Sequence, residues 1–373
     1  MPTHTYQKRE PELQIDLSAI AANFHHLRSL VGSNTEVAAV VKSDAYGLGM
    51  NLVVPVLLEA GCHTFFVANL REAMQIRTKL ASSVQINILA GIEDNALDVY
   101  RTYRLAPVCG RLEDAILAAE KLPELVLGLE TGFSRFGLTF AQVRAFKHRV
   151  RREPDLAISH LACADDPIDT TNRLQRDRFV AMCQIVNPRR RSLAASAAVW
   201  LGQNYHFNLV RAGSALFGLN NAGVEPNPLR PVVQLFARIA EVRAVHCGEA
   251  VGYAASFRAT RSMRIGIVAL GYAQGLPWSA GNVIAVLIGA HKAPVVGRVA
   301  MEYVAVDLSD VPAKLCTEGQ LVEFIGPHLP IETMAKVAHT IPQELLIRLG
   351  ANCRPTLRQP CHDAPWILAA TGG

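Results

Sequence analysis

The chain has 373 residues, 50% of them hydrophobic and 18% charged. That apolar share excludes disorder and fibrous repeats, and the length suits two domains of about 100 to 200 residues or one large barrel with an appendage. The formal net charge of +5 is mild, and the clusters Arg149, Arg151, Arg152 and Arg189, Arg190, Arg191 lack the interleaved aromatics of a single-strand binder, so no nucleic-acid partner is expected. A basic tilt does suit a small anionic ligand.

No apolar run approaches the roughly 18 residues of a membrane helix, since the most hydrophobic patch, residues 52–58, is interrupted by Pro55. The first ten residues are polar and lack the apolar segment of a secretory signal. No membrane partner and a soluble, cytoplasmic protein are therefore expected. The eight cysteines are scattered without a Cys-x-x-Cys pair, which suggests reduced thiols and no metal site.

In chain order, Ile20, Phe24, Leu27 and Val31 recur at helical spacing after a candidate N-cap, Ser18, and end at Gly32. Val37, Ala38, Ala39, Val40 and Val41 then form a short apolar run of the kind found when a parallel strand is buried on both faces. Similar runs return at residues 65–67, 86–89, 106–109, 125–129, 157–161, 192–195 and 209–217, giving eight strands. Helical stretches separate them, as at residues 111–122 and 139–152, where Val143, Phe146 and Val150 share a face. The alternation predicts an α/β fold, a (β/α)8 TIM-type barrel, with an open doubly wound sheet as the weaker alternative.

Pro226, Pro228 and Pro231 lie within six residues and read as a linker. Beyond them the helical period gives way to β-rich runs at residues 234–245, 263–270, 283–288, 293–306 and 320–325, with Gly289, Ala290, His291 and Lys292 as a hairpin loop. A last helix is expected over residues 331–349. The predicted division is a barrel domain, residues 1–228, followed by a mainly β C-terminal domain, residues 229–373.

A barrel places its chemistry where strands end and loops begin. Lys42 stands at such a place, after the run that ends at Val41 and before a loop containing Gly47 and Gly49. A lysine there loses hydration, which lowers its pKa and frees its amine to act as a nucleophile. Alone, it could equally be a lysine reaching for solvent.

The segment Val40-Val41-Lys42-Ser43-Asp44-Ala45-Tyr46-Gly47-Leu48-Gly49 resembles the pyridoxal-phosphate lysine segment of the alanine racemase family. Six further segments follow in the family's order, around Glu130 to Gly137, Ser159 to Asp165, Leu209 to Gly218, Val251 to Tyr253, Gly271 to Ala273 and Val296 to Glu302. The resemblance runs from Gln14 to about Gly350. It implies pyridoxal 5'-phosphate as cofactor and racemisation of L- and D-alanine by two bases, supplying D-alanine for cell-wall peptidoglycan. Lys42 would hold the cofactor and act as one base. Tyr253 would be the other, on the opposite face of Cα. A free phenol is a poor base at neutral pH, and the family answers with a chain from tyrosine to histidine to arginine, here Tyr253, His160 and Arg211.

By the same resemblance Arg211 donates to the pyridine nitrogen, and because arginine keeps its proton that nitrogen stays largely unprotonated. Tyr46, Ser196, Gly213 and Ser214 match the phosphate contacts. Arg135 and the backbone of Met301 match the groups that hold the substrate carboxylate, and Tyr272 lines the entrance. A homodimer with shared active sites is implied. Several family residues are replaced: Gly128 stands where many relatives carry a carbamylated lysine that braces the substrate arginine, so Arg135 needs another brace. Glu130 and Glu302 replace aspartates, Phe133 a methionine, Ala195 an asparagine, Gln274 an aspartate and Phe217 a tyrosine, while Leu48 stands at a frequent histidine position. Pro342, Gln343 and Glu344 stand where Asn-Tyr-Glu is common. A racemase of another small amino acid such as serine, or a cofactor-holding relative without racemase activity, is the alternative. A decarboxylase on this plan would carry a carboxylate where Arg211 stands.

Overall fold

A computed structural model describes residues 10–358. Two compact units divide them, one formed by residues 20–230 and 341–351, the other by the rest of the described chain. In the first unit eight parallel strands pair in chain order: Glu36–Val40, Thr64–Val67, Gln85–Ile88, Leu105–Cys109, Val126–Gly128, Leu156–Ile158, Arg190–Ser192 and Leu209–Ala212. Leu209 lies opposite Glu36, and a parallel bridge joins Ala195 to Arg211, so the sheet closes on itself as a barrel rather than staying open. Ala38, Phe66, Ala106, Val126, Leu156 and Leu209 pack into one interior cluster, which explains why most of the strands read as apolar runs instead of alternating. The helix Phe140–Arg149 opens with a capping box between Thr139 and Gln142 and buries Val143 and Phe146.

Three expectations about this unit change. The first helix, Leu17–Val31, is capped by Asp16, whose Oδ1 accepts both the Ala19 N–H and the Ser18 hydroxyl, so Ser18 supports the cap instead of forming it. The seventh strand begins two arginines before the apolar run that signals it, because backbone pairing to Leu156 and Ala157 defines it. The run at residues 209–217 leaves the sheet at Ala212, and Ser214–Phe217 turns as a short 3-10 helix closed by Gly218 at φ 80°.

In the second unit the long strand Val233–Val245 pairs antiparallel with Glu12–Ile15, Met263–Val268 and Leu321–Ile325. Glu12–Ile15 precedes the barrel in sequence and belongs to this sheet. The hairpin Ala285–Ile288 to His291–Val296 turns at Gly289, φ 61°. The predicted run 293–306 is two strands, His291–Val296 and Val304–Asp307, separated by a loop that bends at Gly297, φ 82°. The predicted last helix is likewise two, Ile331–Val337 and Pro342–Asn352. His339 at φ 55° breaks the first, and Pro342, which has no N–H to continue a helix, starts the second. No helix among the described residues is long and apolar enough to cross a membrane.

Candidate active site

Lys42 follows the first barrel strand and opens a turn without precedent in its own composition. Ser43, Asp44, Ala45 and Tyr46 stand at φ of 55, 52, 56 and 57°, a left-handed turn built from four residues that each carry a Cβ. Such a conformation costs about 1–2 kcal/mol per residue, so surrounding bonds must hold it. Glu72 supplies two: its carboxylate accepts the Ser43 N–H and the Ala68 N–H, each at 2.8 Å, from a side chain that is almost wholly buried. Asp44 Oδ1 accepts the Met50 N–H at 2.8 Å, and the Tyr46 ring packs on Phe217 with centroids 4.7 Å apart. Gly47 ends the turn at φ 85°, where a Cβ would come within 2.9 Å of the Ile347 carbonyl.

Glu72 was not singled out from sequence. Its signal there, a glutamate three residues after Asn69, reads as a helix start, and Asn69 Oδ1 does accept the Glu72 N–H. Nothing in that spacing discloses that the carboxylate reaches back to residue 43. Burial lowers the Lys42 pKa, the Arg135 charge lowers it further, and Glu72 opposes both. The lysine amine is thus available in its unprotonated form at lower pH than a free lysine.

A second group of predicted residues converges on the turn after the eighth strand. The Tyr46 hydroxyl hydrogen-bonds the Ser214 backbone, and burial pushes its pKa up to about 12. A Cβ at residue 213 would collide with that hydroxyl, so Gly213 is the residue that admits it. Ser196 Oγ accepts the Gly213 N–H at 2.9 Å and the Ala215 N–H at 3.2 Å, and Asn221 donates to Ser214 Oγ at 3.2 Å. Tyr46, Ser196, Gly213 and Ser214 therefore form one polar cradle.

Arg211 lies beside it, fully enclosed. Its terminal nitrogens donate to Ser192 O at 2.8 Å, to Ser192 Oγ at 2.6 Å, to Leu193 O at 3.4 Å and to Ser159 O, which uses four of its five N–H groups. Burial pulls the guanidinium down to about 10, still charged at neutral pH. His160 keeps an exposed surface, yet its pKa is lowered, first by the protein packed around it and then by the charges of Arg211, Arg135 and Lys42. Lys42, Arg135, His160 and Arg211 thus sit within charge range of one another and make a basic cluster suited to an anion.

Tyr253, Tyr272 and Met301 belong to the other unit. Tyr253 follows Gly252, φ 71°, and precedes Ala254 and Ala255, φ 56 and 48°, on a turn that leaves its side chain exposed. Tyr272 and Met301 are stitched together: the Tyr272 N–H donates to Ala300 O at 3.1 Å and the Ala273 N–H to Met301 O at 2.8 Å. Any side chain at Gly271 would strike those two carbonyls. A cavity of about 390 Å³ lies in this unit, lined by Val251, Tyr253, Val296, Arg298 and Ala300 among others, so Tyr253 borders the residue that anchors Tyr272. Among the described residues no three His, Cys, Asp or Glu side chains gather as metal ligands would.

Family comparison accounts for both units. The family model described as "Alanine racemase, N-terminal domain" matches residues 15–221, and the one described as "Alanine racemase, C-terminal domain" matches residues 232–356. The chain belongs to the alanine racemase family. Within that family it is 46% identical to the biosynthetic alanine racemase of Mesorhizobium japonicum over 91% of this chain and 87% of that one. It is 38% identical to the alanine racemase of Rhodospirillum rubrum, over 91% and 93% of the two chains. The crystal structure of alanine racemase from Bartonella henselae with covalently bound pyridoxal phosphate superposes with a TM-score of 0.88 at 32% identity, covering 94% of this chain and 99% of that one. The biosynthetic alanine racemase of Pseudomonas aeruginosa gives 0.86 at 33%, covering 94% and 100%.

Proposed function

We propose that the chain is an amino-acid racemase that interconverts L- and D-alanine with pyridoxal 5'-phosphate as its cofactor. The observation that carries this reading is one barrel mouth that combines a dehydrated lysine, a buried arginine and a polar cradle. The residues fit the cofactor. Tyr46, Ser196, Gly213 and Ser214 supply hydroxyl and backbone donors for a phosphate where a side chain at 213 would be in the way, and the surrounding cations match its charge. The unit of residues 20–230 and 341–351 holds the cofactor in this reading; the expected division at residues 228 and 229 shifts because Glu12–Ile15 pairs in the other sheet.

Bound there, the cofactor supplies an electron sink that acidifies the substrate Cα–H. Lys42 anchors it through Nζ and takes or returns the Cα proton on one face. Tyr253 does the same through its hydroxyl on the other face, with His160 and Arg211 behind it. Arg211 offers the cofactor's ring nitrogen a donor that keeps its own proton, which limits how much charge the ring can accept and favours simple return of the proton. His160, its pKa lowered by the protein and the cations around it, is held neutral at neutral pH in this reading. Arg135 and the Met301 backbone hold the substrate carboxylate, and Tyr272 lines the way in.

The working unit in this proposal is a homodimer with shared sites. Tyr253, Tyr272, Trp278, Met301 and Tyr303 are all exposed on their unit, and aromatic residues and methionine are the types that interfaces concentrate. The seven described cysteines are free thiols, which agrees with the cytoplasm as the place of reaction and with supply of D-alanine to peptidoglycan synthesis. The test is optical. The visible absorbance of lysine-held pyridoxal phosphate is expected in the purified protein and absent from Lys42→Ala, with racemase activity lost at least about a thousandfold, as for removal of a covalent anchor. A colourless wild type that added pyridoxal phosphate does not convert would overturn the reading.

A further inference from the structure

Arg135 presents a problem that its own loop does not solve with charge. The Glu130 carboxylate, five residues before it, is turned to the loop backbone, accepting the Gly132 N–H at 2.5 Å and the Arg135 N–H at 3.3 Å. Among the described residues no carboxylate pairs with the Arg135 guanidinium. Gly128, at the end of the strand leading into the loop, has no side chain to offer, and a Cβ there would already approach Val108 Cγ1 to 3.3 Å.

What does meet the guanidinium is a ring. Arg135 Cζ stands 4.3 Å from the centroid of Phe133, over its face. Phe133 in turn meets His160 at 5.1 Å with the rings inclined by 60°, the edge-to-face arrangement aromatic pairs favour. His160 is itself a fixed point: its carbonyl accepts Gln175 Nε2 at 3.0 Å, while Gln175 Oε1 accepts the Ala162 N–H at 2.8 Å, from a glutamine with no exposed surface. Gln175 also reaches Thr131 Oγ1 at 3.4 Å, and Arg178 donates to Thr131 O at 3.1 Å, so the start of the Arg135 loop is tied to the same support.

We propose that Phe133 is the positioning residue for Arg135, holding the guanidinium on its π face against His160 in place of an anionic brace. The proposal rests on the reading of Arg135 as the group that binds the substrate carboxylate. A cation–π contact orients arginine without neutralising it. A carboxylate brace competes with the substrate for the same N–H groups, whereas a ring face leaves the edge of the guanidinium, where its donors lie, open to the incoming carboxylate. The Phe133 ring thus fixes direction and leaves the full charge available.

The test uses the holoenzyme with phenylalanine at 133 replaced by mono-, di- and trifluorinated phenylalanines, which keep the ring's shape and drain its face of negative potential step by step. Propionate, a carboxylate without the reacting amine, is titrated by calorimetry beside alanine kinetics. The Kd for propionate and the KM for alanine are expected to rise in even logarithmic steps with each fluorine. Phe133→Leu is expected to raise both about three- to tenfold, Phe133→Trp to restore them, and kcat to stay within about twofold throughout. In an Arg135→Ala background Phe133→Leu is expected to add nothing further.

An effect that ignores the number of fluorines, or none while Arg135→Ala still weakens propionate, overturns the role of Phe133 and leaves Arg135 in place. Unchanged propionate binding in Arg135→Ala overturns instead the reading of Arg135 on which the proposal stands.

Discussion

Arg211 keeps 5% of its surface and Tyr253 keeps 69%, although both are proposed to serve one reaction. The barrel unit finishes its share of the site within itself: the fold dehydrates Lys42, satisfies Arg211 with backbone carbonyls and a serine, and pins a left-handed turn with Glu72. The β unit orders its backbone with equal care, through Gly271 and the Ala300 and Met301 carbonyls, yet leaves Tyr253, Tyr272 and Met301 in water. Preorganisation of a buried charge has to be built into a core, because an unpaired one costs several kcal/mol. An exposed tyrosine carries no such cost, and the proposed dimer would be what covers it.

The largest expected effect falls on the exposed side. Tyr253→Phe should lower racemisation by about 10²- to 10⁴-fold, the range for loss of a positioned acid/base. In deuterated water it should still exchange the Cα proton of the enantiomer whose proton faces Lys42, so the loss is one-sided. Equal loss from both enantiomers, or none, removes Tyr253 as the second base.

Mixing inactive Lys42→Ala with inactive Tyr253→Phe asks whether the two regions meet across chains. In a shared-site heterodimer one pocket carries both defects and one carries neither. Random exchange should therefore restore about a quarter of all sites in a two-fold-symmetric assembly. No recovery after verified exchange would put both bases on one chain.

Glu72→Ala probes the preorganised side through stability. It strips acceptors from two backbone N–H groups, one of them in the left-handed turn, and should cost about 1–3 kcal/mol, as for buried donors left unpaired. The denaturation midpoint in urea measures this. An unchanged midpoint would mean that the turn is held by other contacts.

The smallest effect is a pH slope. His160 is exposed at the surface, so solvent screening keeps its contribution small; its folded pKa lies below the ordinary value of 6.5, so the unfolded chain takes up the proton first. The stabilising contribution of a neutral His160 is complete above pH 6.5 and is lost as pH falls towards the folded value. Urea midpoints should decline over that window, and His160→Asn should flatten the decline. A decline unaltered by His160→Asn would show that the imidazole is not the group held neutral.

Much of this was legible along the chain because burial on both faces of a parallel strand leaves a local mark. The valine and alanine run before Lys42 declares a barrel strand, and its end marks where chemistry can sit; the change of period after Pro231 announces a second kind of structure. The motifs around His160, Arg211 and Tyr253 carried the family and its residue roles.

The rest depended on partners far away in sequence. Glu12–Ile15 looks like a prelude to the barrel and pairs instead with Val233–Val245, since a strand's sheet is chosen by whichever edge is free to bond it. Residues 43–46 contain no glycine, so nothing local predicts four left-handed residues in succession; the distant Glu72 carboxylate helps to hold them there. Sequence recorded that Gly128 offers no brace to Arg135, but only the folded loop sets Phe133 beneath the guanidinium and against His160. Periodicity encodes which residues leave water, a property each residue carries with it. Which donor meets which acceptor, and which cation meets which ring, is a property of pairs, and the tertiary structure alone brings those pairs together.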